Sequence, residues 1–321
     1  MATSGSVDYS IDRSGLISAA YKLCGVVEEG GTANTNQLAD GVIILNLLIK
    51  NWMVHGPTLW TTEEIVLFPI KDRVVYRLGG ASTDRMTLSS DFISSTVSAN
   101  EASGQTIIST TSTTGMAASD VVGVETDDGG IHWTTISGAP TSTTITLASA
   151  LTTTAGAGNR IYTYTTAFTQ VPKRLIAQWL SDENYITRPV QRISKDEYSL
   201  LSAKTSDGIV TQMLFDPQLL ESLISVWQVP TDGDLNNVMY LYIQRIVEDF
   251  DGATDTPDLP QEWYLPLVLN LAYHIAPSLG VPAETYARIR DQALVLKKEA
   301  LDFDTDQTSL YHQPEVTYEE A

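Results

Sequence analysis

Two patterns typical of buried helices open the chain. Residues 10–27 carry apolar side chains at the i, i+3 and i+4 spacing of one helical face, with Ser10 as the expected cap. Residues 35–55 repeat that spacing behind a cap at Asn34 or Thr35, and the pair Gly56 and Pro57 stops the pattern. The side chains assigned to the two core faces are Leu16, Ala20, Leu23, Cys24 and Val27, then Leu38, Val42, Leu45, Ile49 and Trp52.

Strand patterns follow the helices. Residues 63–68 and 73–78 predict the two legs of a hairpin. Residues 173–179, 213–216, 222–229 and 238–244 are further apolar runs, whose spacing predicts one twisted antiparallel sheet. Between them, Ser194 followed by Glu197 is a capping-box signature that predicts a short helix over residues 195–202.

The last helical patterns lie near the C-terminus. Pro260 suits the first turn of a third long helix, which Pro277 and Gly280 close. A fourth begins at Pro282 and runs to about Leu301. From 302 to the end there are six acidic residues, no basic residue and no helical stripe, which predicts an extended acidic tail.

Residues 82–166 differ in composition from the rest, with 34 Ser or Thr among 85 residues. Residues 121–124, 131–136, 143–147 and 160–164 are β-rich, and turn signals separate them. This pattern favours a small all-β barrel or sandwich over a flexible linker. Since both flanks resemble turns, we expect that a short linker can replace the segment without unfolding the rest.

The predicted fold is therefore α+β. A discontinuous core of about four helices with an antiparallel β region covers residues 1–81 and 167–301. Residues 82–166 form an inserted small all-β domain, and residues 302–321 an extended C-terminal tail.

Charge limits the possible partners. The 39 acidic residues outnumber the 19 basic ones and give a net charge of −20, which argues against tight nucleic-acid binding but is compatible with DNA passing nearby. No run approaches the roughly 20 apolar residues that a membrane-spanning helix needs. The single cysteine, Cys24, is expected to be a small buried side chain.

Residues that would indicate catalysis or metal binding are not grouped in the sequence. The four histidines share no helical turn, and no phosphate-binding loop or nucleophile elbow is present. We therefore expect no enzymatic activity, no cofactor and no metal, with a loose calcium site near Asp127 or Asp249 as a minor alternative. Trp60 is a candidate interface anchor, and Trp133 is either core or a sugar-stacking residue.

Several segments of the core resemble the head-to-tail adaptors, or packaged-DNA stabilisation proteins, of short-tailed and related phages. The resemblance covers roughly residues 10–76 and 173–301 and depends on the order of the segments, since no single motif is diagnostic. The segments are residues 76–79, 188–198, 226–230 and 255–280, the last of which contains Leu259-Pro260-Gln261-Glu262-Trp263 and Leu269-Asn270-Leu271-Ala272.

The resemblance implies a structural protein of the virion neck, synthesised in the host cytoplasm. It implies a ring of about twelve copies beneath the portal protein, with a central channel for double-stranded DNA that is not tightly bound. The lower surface would receive a tail nozzle, tail tube or fibre protein. Two alternatives stay open: a carbohydrate-binding or fibre-attachment protein acting through the β segment, and a cell-wall-degrading virion enzyme.

Two sets of residues are candidates for contacts in such a ring. Because C-terminal extensions of these adaptors often dock on the portal, the resemblance implies that role for Tyr311, Pro314, Val316 and Tyr318. The last predicted helix carries basic residues that would form a subunit flank or a stripe near DNA, with an ordinary solvated face as the alternative. These are Arg288, Arg290, Lys297 and Lys298.

Overall fold

The structure is a computed structural model that describes residues 5–6, 8–55, 59–80, 84–182 and 184–304. The chain divides into two compact units. The helical unit combines Met1–Thr61 with Val247–Ala321, and the β unit is Thr62–Ile246. These division points differ from the boundaries expected from the sequence, and the proposed partition into core, insert and tail stays a prediction.

The fold is α+β, as predicted. In the described part of the chain the helices are α1 (Arg13–Leu23), α2 (Thr35–His55), α3 (Lys195–Leu200), α4 (Tyr264–Ile275) and α5 (Ala283–Phe303). The strands before the composition shift and inside it are β1 (Thr62–Leu67), β2 (Val75–Leu78), β3 (Met86–Leu88), β4 (Ile93–Thr96), β5 (Ile107–Ser109), β6 (Val121–Glu125), β7 (Ile131–Thr135), β8 (Thr144–Thr146) and β9 (Arg160–Tyr164). The later strands are β10 (Arg174–Ser181), β11 (Thr187–Pro189), β12 (Gln191–Arg192), β13 (Gln212–Pro217), β14 (Ser222–Trp227) and β15 (Val238–Gln244).

In the helical unit, α1, α2 and α5 all pack on α4. Leu267, Leu271 and Ile275 of α4 are buried in one cluster that includes Trp52 of α2 and the neighbouring Trp263, whose rings meet edge to face at 5.6 Å. The buried Asn270 amide donates to the carbonyl oxygens of Pro266 (2.8 Å) and Ala293 (3.1 Å). The second of these hydrogen bonds joins α5 to α4.

Helix α1 is shorter at both ends than the sequence pattern suggests. The Asp12 carboxylate accepts a hydrogen bond from the amide of Gly15 at 2.7 Å and so caps the first turn, in place of the expected Ser10. At the other end Gly25 has a φ of 73°, a left-handed conformation that ends the helix before Val27. The predicted bounds of α2 and α5 agree with the structure to within two residues.

The predicted hairpin of residues 63–68 and 73–78 is wrong, because its two legs lie in different sheets. β1 lies between β15 and β3 in the five-stranded sheet β11-β10-β15-β1-β3. β2 pairs with β14 at the edge of the four-stranded sheet β12-β13-β14-β2. The single antiparallel sheet expected from the later strands is therefore two sheets, with a parallel pair between β12 and β13.

Alternation along β1 gives the five-stranded sheet two covered faces. Ile65 and Leu67 are buried with residues of the four-stranded sheet, such as Ile224. Val66 and the following Phe68 point to the opposite face and are buried in a second apolar cluster. The sheet is thus the middle layer of the β unit.

The Ser/Thr-rich segment forms strands, as its pattern predicts. β4, β9, β6 and β7 form one antiparallel sheet, β5 pairs with β8, and these strands enclose a separate apolar cluster that includes Ile108, Val124 and Ile145. β3, which the predicted boundary at residue 82 places in this segment, instead extends the sheet of β1. The short strands β3, β4 and β5 were not predicted.

An aromatic layer lies between this segment and the sheet of β1. The Phe68 ring lies 4.9 Å from that of Trp133 and 5.7 Å from that of Tyr164, and Phe92 and Tyr162 complete the cluster. Where the segment begins and ends, the Asp91 carboxylate accepts hydrogen bonds from the amides of residues 165 and 166. The two ends of the segment are therefore held side by side.

Candidate interaction surfaces of the helical unit

An apolar groove on the helical unit lies where the end of α1 meets α4 and α5. Its cavity is about 570 Å³. The apolar lining consists of Leu23, Leu265, Leu269, Val295 and Leu296, with Asp291 and Gln292 at the rim, and we call it the α4–α5 groove. Leu265 and Val295 are 58% and 55% exposed, and Leu23, which the sequence assigned to the core, is also exposed. The groove is therefore an apolar surface that water can reach.

A second apolar surface lies on α2. Ile43, Leu47 and Val54, spaced four and seven residues apart, share one exposed face, and we call them the α2 ridge. Ile43 and Leu47 are 60% and 66% exposed, whereas Leu45 and Ile49 are buried on the other face. Beside the ridge, Leu47, Asn51 and His274 border a cavity of about 390 Å³.

α2 is apolar around most of its circumference. Contrary to the expectation that no run approaches membrane-spanning length, residues Thr35–Val54 have the length and the mean hydropathy, 1.2, of a helix able to cross a membrane, a test that core helices of soluble proteins also pass. Helices that are apolar all round are normally covered on every side. In this structure the helical unit covers one side and leaves the α2 ridge exposed.

The two surfaces lie on different sides of α4. Leu265 and His274 are nine residues apart, which corresponds to roughly 180° around a helix of 3.6 residues per turn. Leu265 lines the α4–α5 groove, and His274 borders the cavity beside the α2 ridge. The helical unit therefore exposes a concave apolar surface on one side of α4 and a helical ridge toward the other.

The predicted basic residues do not form one stripe on α5. Arg288 and Arg290 are 200° apart around the helix. Arg290 pairs with Asp291 at 2.9 Å. The Lys297 ammonium lies 5.2 Å from the centre of the Trp52 ring, and burial lowers the pKa of this lysine. Arg288 and Lys298 are exposed and lie on the side of α5 that carries Val295.

Other residues singled out in the sequence lie elsewhere. Tyr311, Pro314, Val316 and Tyr318 lie outside the described residues, so their predicted role stays a prediction. Trp60, the candidate interface anchor, is 46% exposed. Cys24 is buried, as expected, and burial raises the pKa of its thiol to about 11. At neutral pH this group is therefore a neutral thiol.

The remaining tryptophans differ in burial. Trp52 is in the core, as expected, and Trp263 is also buried, while Trp179 and Trp227 are only partly buried at the sheets. Trp133 is half-buried: Phe68 packs edge-on against its ring, and the Arg85 guanidinium lies 5.1 Å from the ring centre. These contacts occupy part of the ring that the sugar-binding alternative would use, and the ring also borders a cavity of about 410 Å³.

The acidic loops serve as backbone caps. The Asp255 carboxylate accepts hydrogen bonds from the amides of Asp251 and Gly252, and Asp127 accepts from the amide of Gly156 at 2.7 Å. Among the residues that the structure describes, no group of three or more His, Cys, Asp or Glu side chains could hold a metal ion.

One serine–histidine pair was not predicted. His132 Nε2 lies 3.3 Å from Ser149 Oγ, but the serine hydroxyl donates to Thr134 at 2.8 Å. No carboxylate within the described ranges pairs with His132. A hydrolytic triad needs an acid to orient the histidine, and this pair shows none.

Comparison with known proteins adds no assignment. No protein-family model matches the chain, and no curated protein matches it.

Proposed function

We propose that the chain is a structural head-to-tail adaptor of a tailed phage, which forms a ring beneath the portal protein in the virion neck. The observation that carries the proposal is the pair of exposed apolar surfaces on different sides of α4. A ring with head-to-tail contacts needs two unlike, complementary surfaces on each subunit. The α2 ridge and the α4–α5 groove meet that requirement.

Exposure of this kind favours a partner over an isolated monomer. Large contiguous apolar patches are uncommon on monomeric soluble proteins and usually mark interaction sites. Here the exposed side chains, such as Leu47 and Val295, lie on long helices that pack on α4. A surface on a rigid scaffold needs little ordering when it binds, which favours assembly.

Charge supports the role of a channel wall. The net charge of −20 keeps DNA from adhering, because tight binding requires clustered Lys and Arg to neutralise phosphates. The subunits would extend the portal channel, help to retain packaged DNA and present an attachment surface for tail components. No catalytic step is part of this role, and the proposal includes no cofactor.

The finer organisation belongs to the same proposal. Residues 82–166 act as an inserted β domain that contacts neighbouring tail or fibre proteins. Residues 302–321 act as a C-terminal tail that docks on the portal through Tyr311, Pro314, Val316 and Tyr318. The basic residues Arg288 and Lys298 are better placed for a subunit flank than for DNA, because both lie near the α4–α5 groove.

The proposal is tested by mixing the purified full chain with its cognate portal protein. Sedimentation velocity should show a complex much larger than the portal alone, with many copies of the chain for each portal. A matched chain that ends at residue 304 should bind the portal more weakly while its helical content is unchanged. Free chain and free portal sedimenting separately at micromolar concentrations would contradict the proposal.

A further inference from the structure

We infer that a polar pocket beside Trp133 binds a neutral sugar unit, a hexopyranose of a glycan. The pocket is the cavity of about 410 Å³ that the Trp133 ring borders, and we call it the Trp133 pocket. This volume lies within the range of sites that bind small molecules, roughly 300–1,000 Å³. The inference goes beyond the proposed adaptor function and depends neither on the portal nor on a ring.

Four stretches of the β unit form the walls of the pocket. The loop after β1 contributes Lys71, the chain before β3 contributes Arg85, β7 contributes Trp133, and the loop before β15 contributes Asp232. Arg85 and Trp133 belong to residues 82–166, whereas Lys71 and Asp232 lie outside them. The pocket therefore exists only where this segment meets the rest of the β unit, and it is not a site that the segment carries alone.

The Trp133 ring is held in place by its neighbours. Gly123 of β6 lies opposite Trp133 in the strand register, and the ring packs so closely over it that a Cβ at position 123 would lie 2.8 Å from a ring carbon. The Phe68 ring meets the indole edge to face at 4.9 Å. Part of the ring is thus buried, and the part that borders the pocket offers an apolar surface on which the C–H groups of a sugar can pack. A side chain that is already fixed loses little conformational entropy on binding.

Hydrogen-bond donors and acceptors line the same pocket. The Arg85 guanidinium lies 5.1 Å from the centre of the Trp133 ring, and within the described part of the chain it makes no ion pair. The Lys71 ammonium pairs with the Asp232 carboxylate. Arginine and lysine side chains only donate hydrogen bonds, and a carboxylate only accepts them. Because a hydroxyl group does both, the hydroxyls of one pyranose ring can satisfy all three side chains.

The charges around the pocket favour a neutral ligand over an anion. The hydrogen bond to Asp232, and more weakly the charges of Asp72 and Asp128, raise the pKa of Lys71. Three carboxylates therefore lie near two bases, which leaves little net attraction for an anion such as phosphate. A purely apolar ligand is also unfavourable, because the charged side chains would lose water without gaining hydrogen bonds.

A close backbone contact keeps the walls together. Gly129, in the turn between β6 and β7, has a φ of 85°, and a Cβ at this position would lie 3.2 Å from the backbone of Asp232. The loop that carries Asp232 therefore packs directly on the turn that precedes Trp133. The pocket is preformed, which lowers the entropic cost of binding.

Saturation-transfer NMR of the full chain with a panel of neutral methyl pyranosides tests the inference. The panel contains the glucoside, galactoside, mannoside, N-acetylglucosaminide and rhamnoside, each at millimolar concentration, with glucuronate and inorganic phosphate as anionic competitors. Arg85→Ala and Asp232→Asn each remove one polar group from the pocket. The matched controls are Arg174→Ala, at another exposed arginine of the β unit, and Asp216→Asn, which breaks the exposed pair with Lys195.

We expect a pyranoside of the panel to bind with a Kd in the millimolar range, and each pocket variant to weaken binding about tenfold. The two controls should bind as the unchanged chain does, and neither anion should displace the sugar. A second readout locates the sugar: in chain labelled with fluorotryptophan, the resonance that Trp133→Phe removes should shift on titration, whereas that of Trp60 should not.

Three results would overturn the inference: no pyranoside of the panel binds, both pocket variants bind as well as the unchanged chain, or phosphate competes for the pocket. Loss of binding to a tail component in the pocket variants, without any sugar binding, would identify a protein contact and also overturn it. Both variants should still associate with the portal. Failure of sugar binding would therefore leave the proposed adaptor function standing, and failure of portal binding would leave the pocket.

Discussion

Replacing residues 92–164 with a short linker is the most informative test of how the β unit is built. The replacement keeps β3 and the hydrogen bonds from the amides of residues 165 and 166 to the Asp91 carboxylate. The two chain ends that the linker joins therefore remain close together. It removes the aromatic partners that cover Val66, Phe68 and Val238 on the outer face of the five-stranded sheet. The sequence alone predicts that the rest of the chain stays folded after such a change, whereas the packing predicts a large loss of stability in the five-stranded sheet.

The expected loss follows from burial. Val66, Phe68 and Val238 are at most 5% exposed in the intact protein. Exposing three such side chains costs roughly 6 kcal/mol at about 2 kcal/mol each. Typical domains have only about 5–15 kcal/mol of stability in total. Most of the stability of the sheet would therefore be lost, even though every strand of the five-stranded sheet and of the sheet β12-β13-β14-β2 is retained.

Hydrogen–deuterium exchange of peptides from β1 and β15 measures this loss. In the linker variant, protection should fall by about four orders of magnitude, since 1.4 kcal/mol corresponds to a factor of ten. The matched control carries the same linker together with Val66→Thr, Phe68→Thr and Val238→Thr, which makes the uncovered face polar and should recover much of the protection. Full protection in the simple linker variant would refute the reasoning.

Three further predictions concern individual groups. Burial raises the pKa of Cys24 from 9.0 to about 11 and that of Tyr76 from 10.0 to about 12, so the unfolded chain loses these protons first. The contribution of these two groups to stability should therefore be constant below pH 9 and be lost as the pH rises to 12, and Cys24→Ala with Tyr76→Phe should flatten this fall in urea titrations. Ser194→Ala removes the capping box of α3 and should cost about 1 kcal/mol, seen as faster exchange confined to that helix. Asn270→Leu should lower the stability of the helical unit by about 1–3 kcal/mol in thermal unfolding, because the carbonyls of Pro266 and Ala293 lose a buried donor; an unchanged midpoint would contradict this.

Local signals in the sequence predicted local structure well. Ser194 and Glu197 mark the cap of α3, and residues 238–244 coincide with β15, because caps and strand alternation depend on neighbouring residues. The pairing of β1 with β15 could not be predicted in this way, since the partners are about 180 residues apart in the chain. The short strands β3, β4 and β5, three or four residues each, are too brief for a clear alternation.

The interaction surfaces were only partly predictable. A helical stripe shows which side of a helix is apolar, but not whether a neighbouring helix covers it. Leu23 is exposed, although its position in the stripe predicts a core residue. The pattern over residues 35–55 is typical of a buried helix. Its unusual feature, apolar residues such as Ile43 and Leu47 on the side away from the core, becomes apparent only when the packing of α2 is known.

Cryo-electron microscopy of the chain bound to its cognate portal tests the central claim most directly. The proposal predicts a closed ring, coaxial with the portal and of about twelve copies, in which neighbouring helical units contact each other around an open channel. Chain that remains monomeric in the presence of the portal, or that binds it as isolated copies without contacts between them, would contradict the proposal.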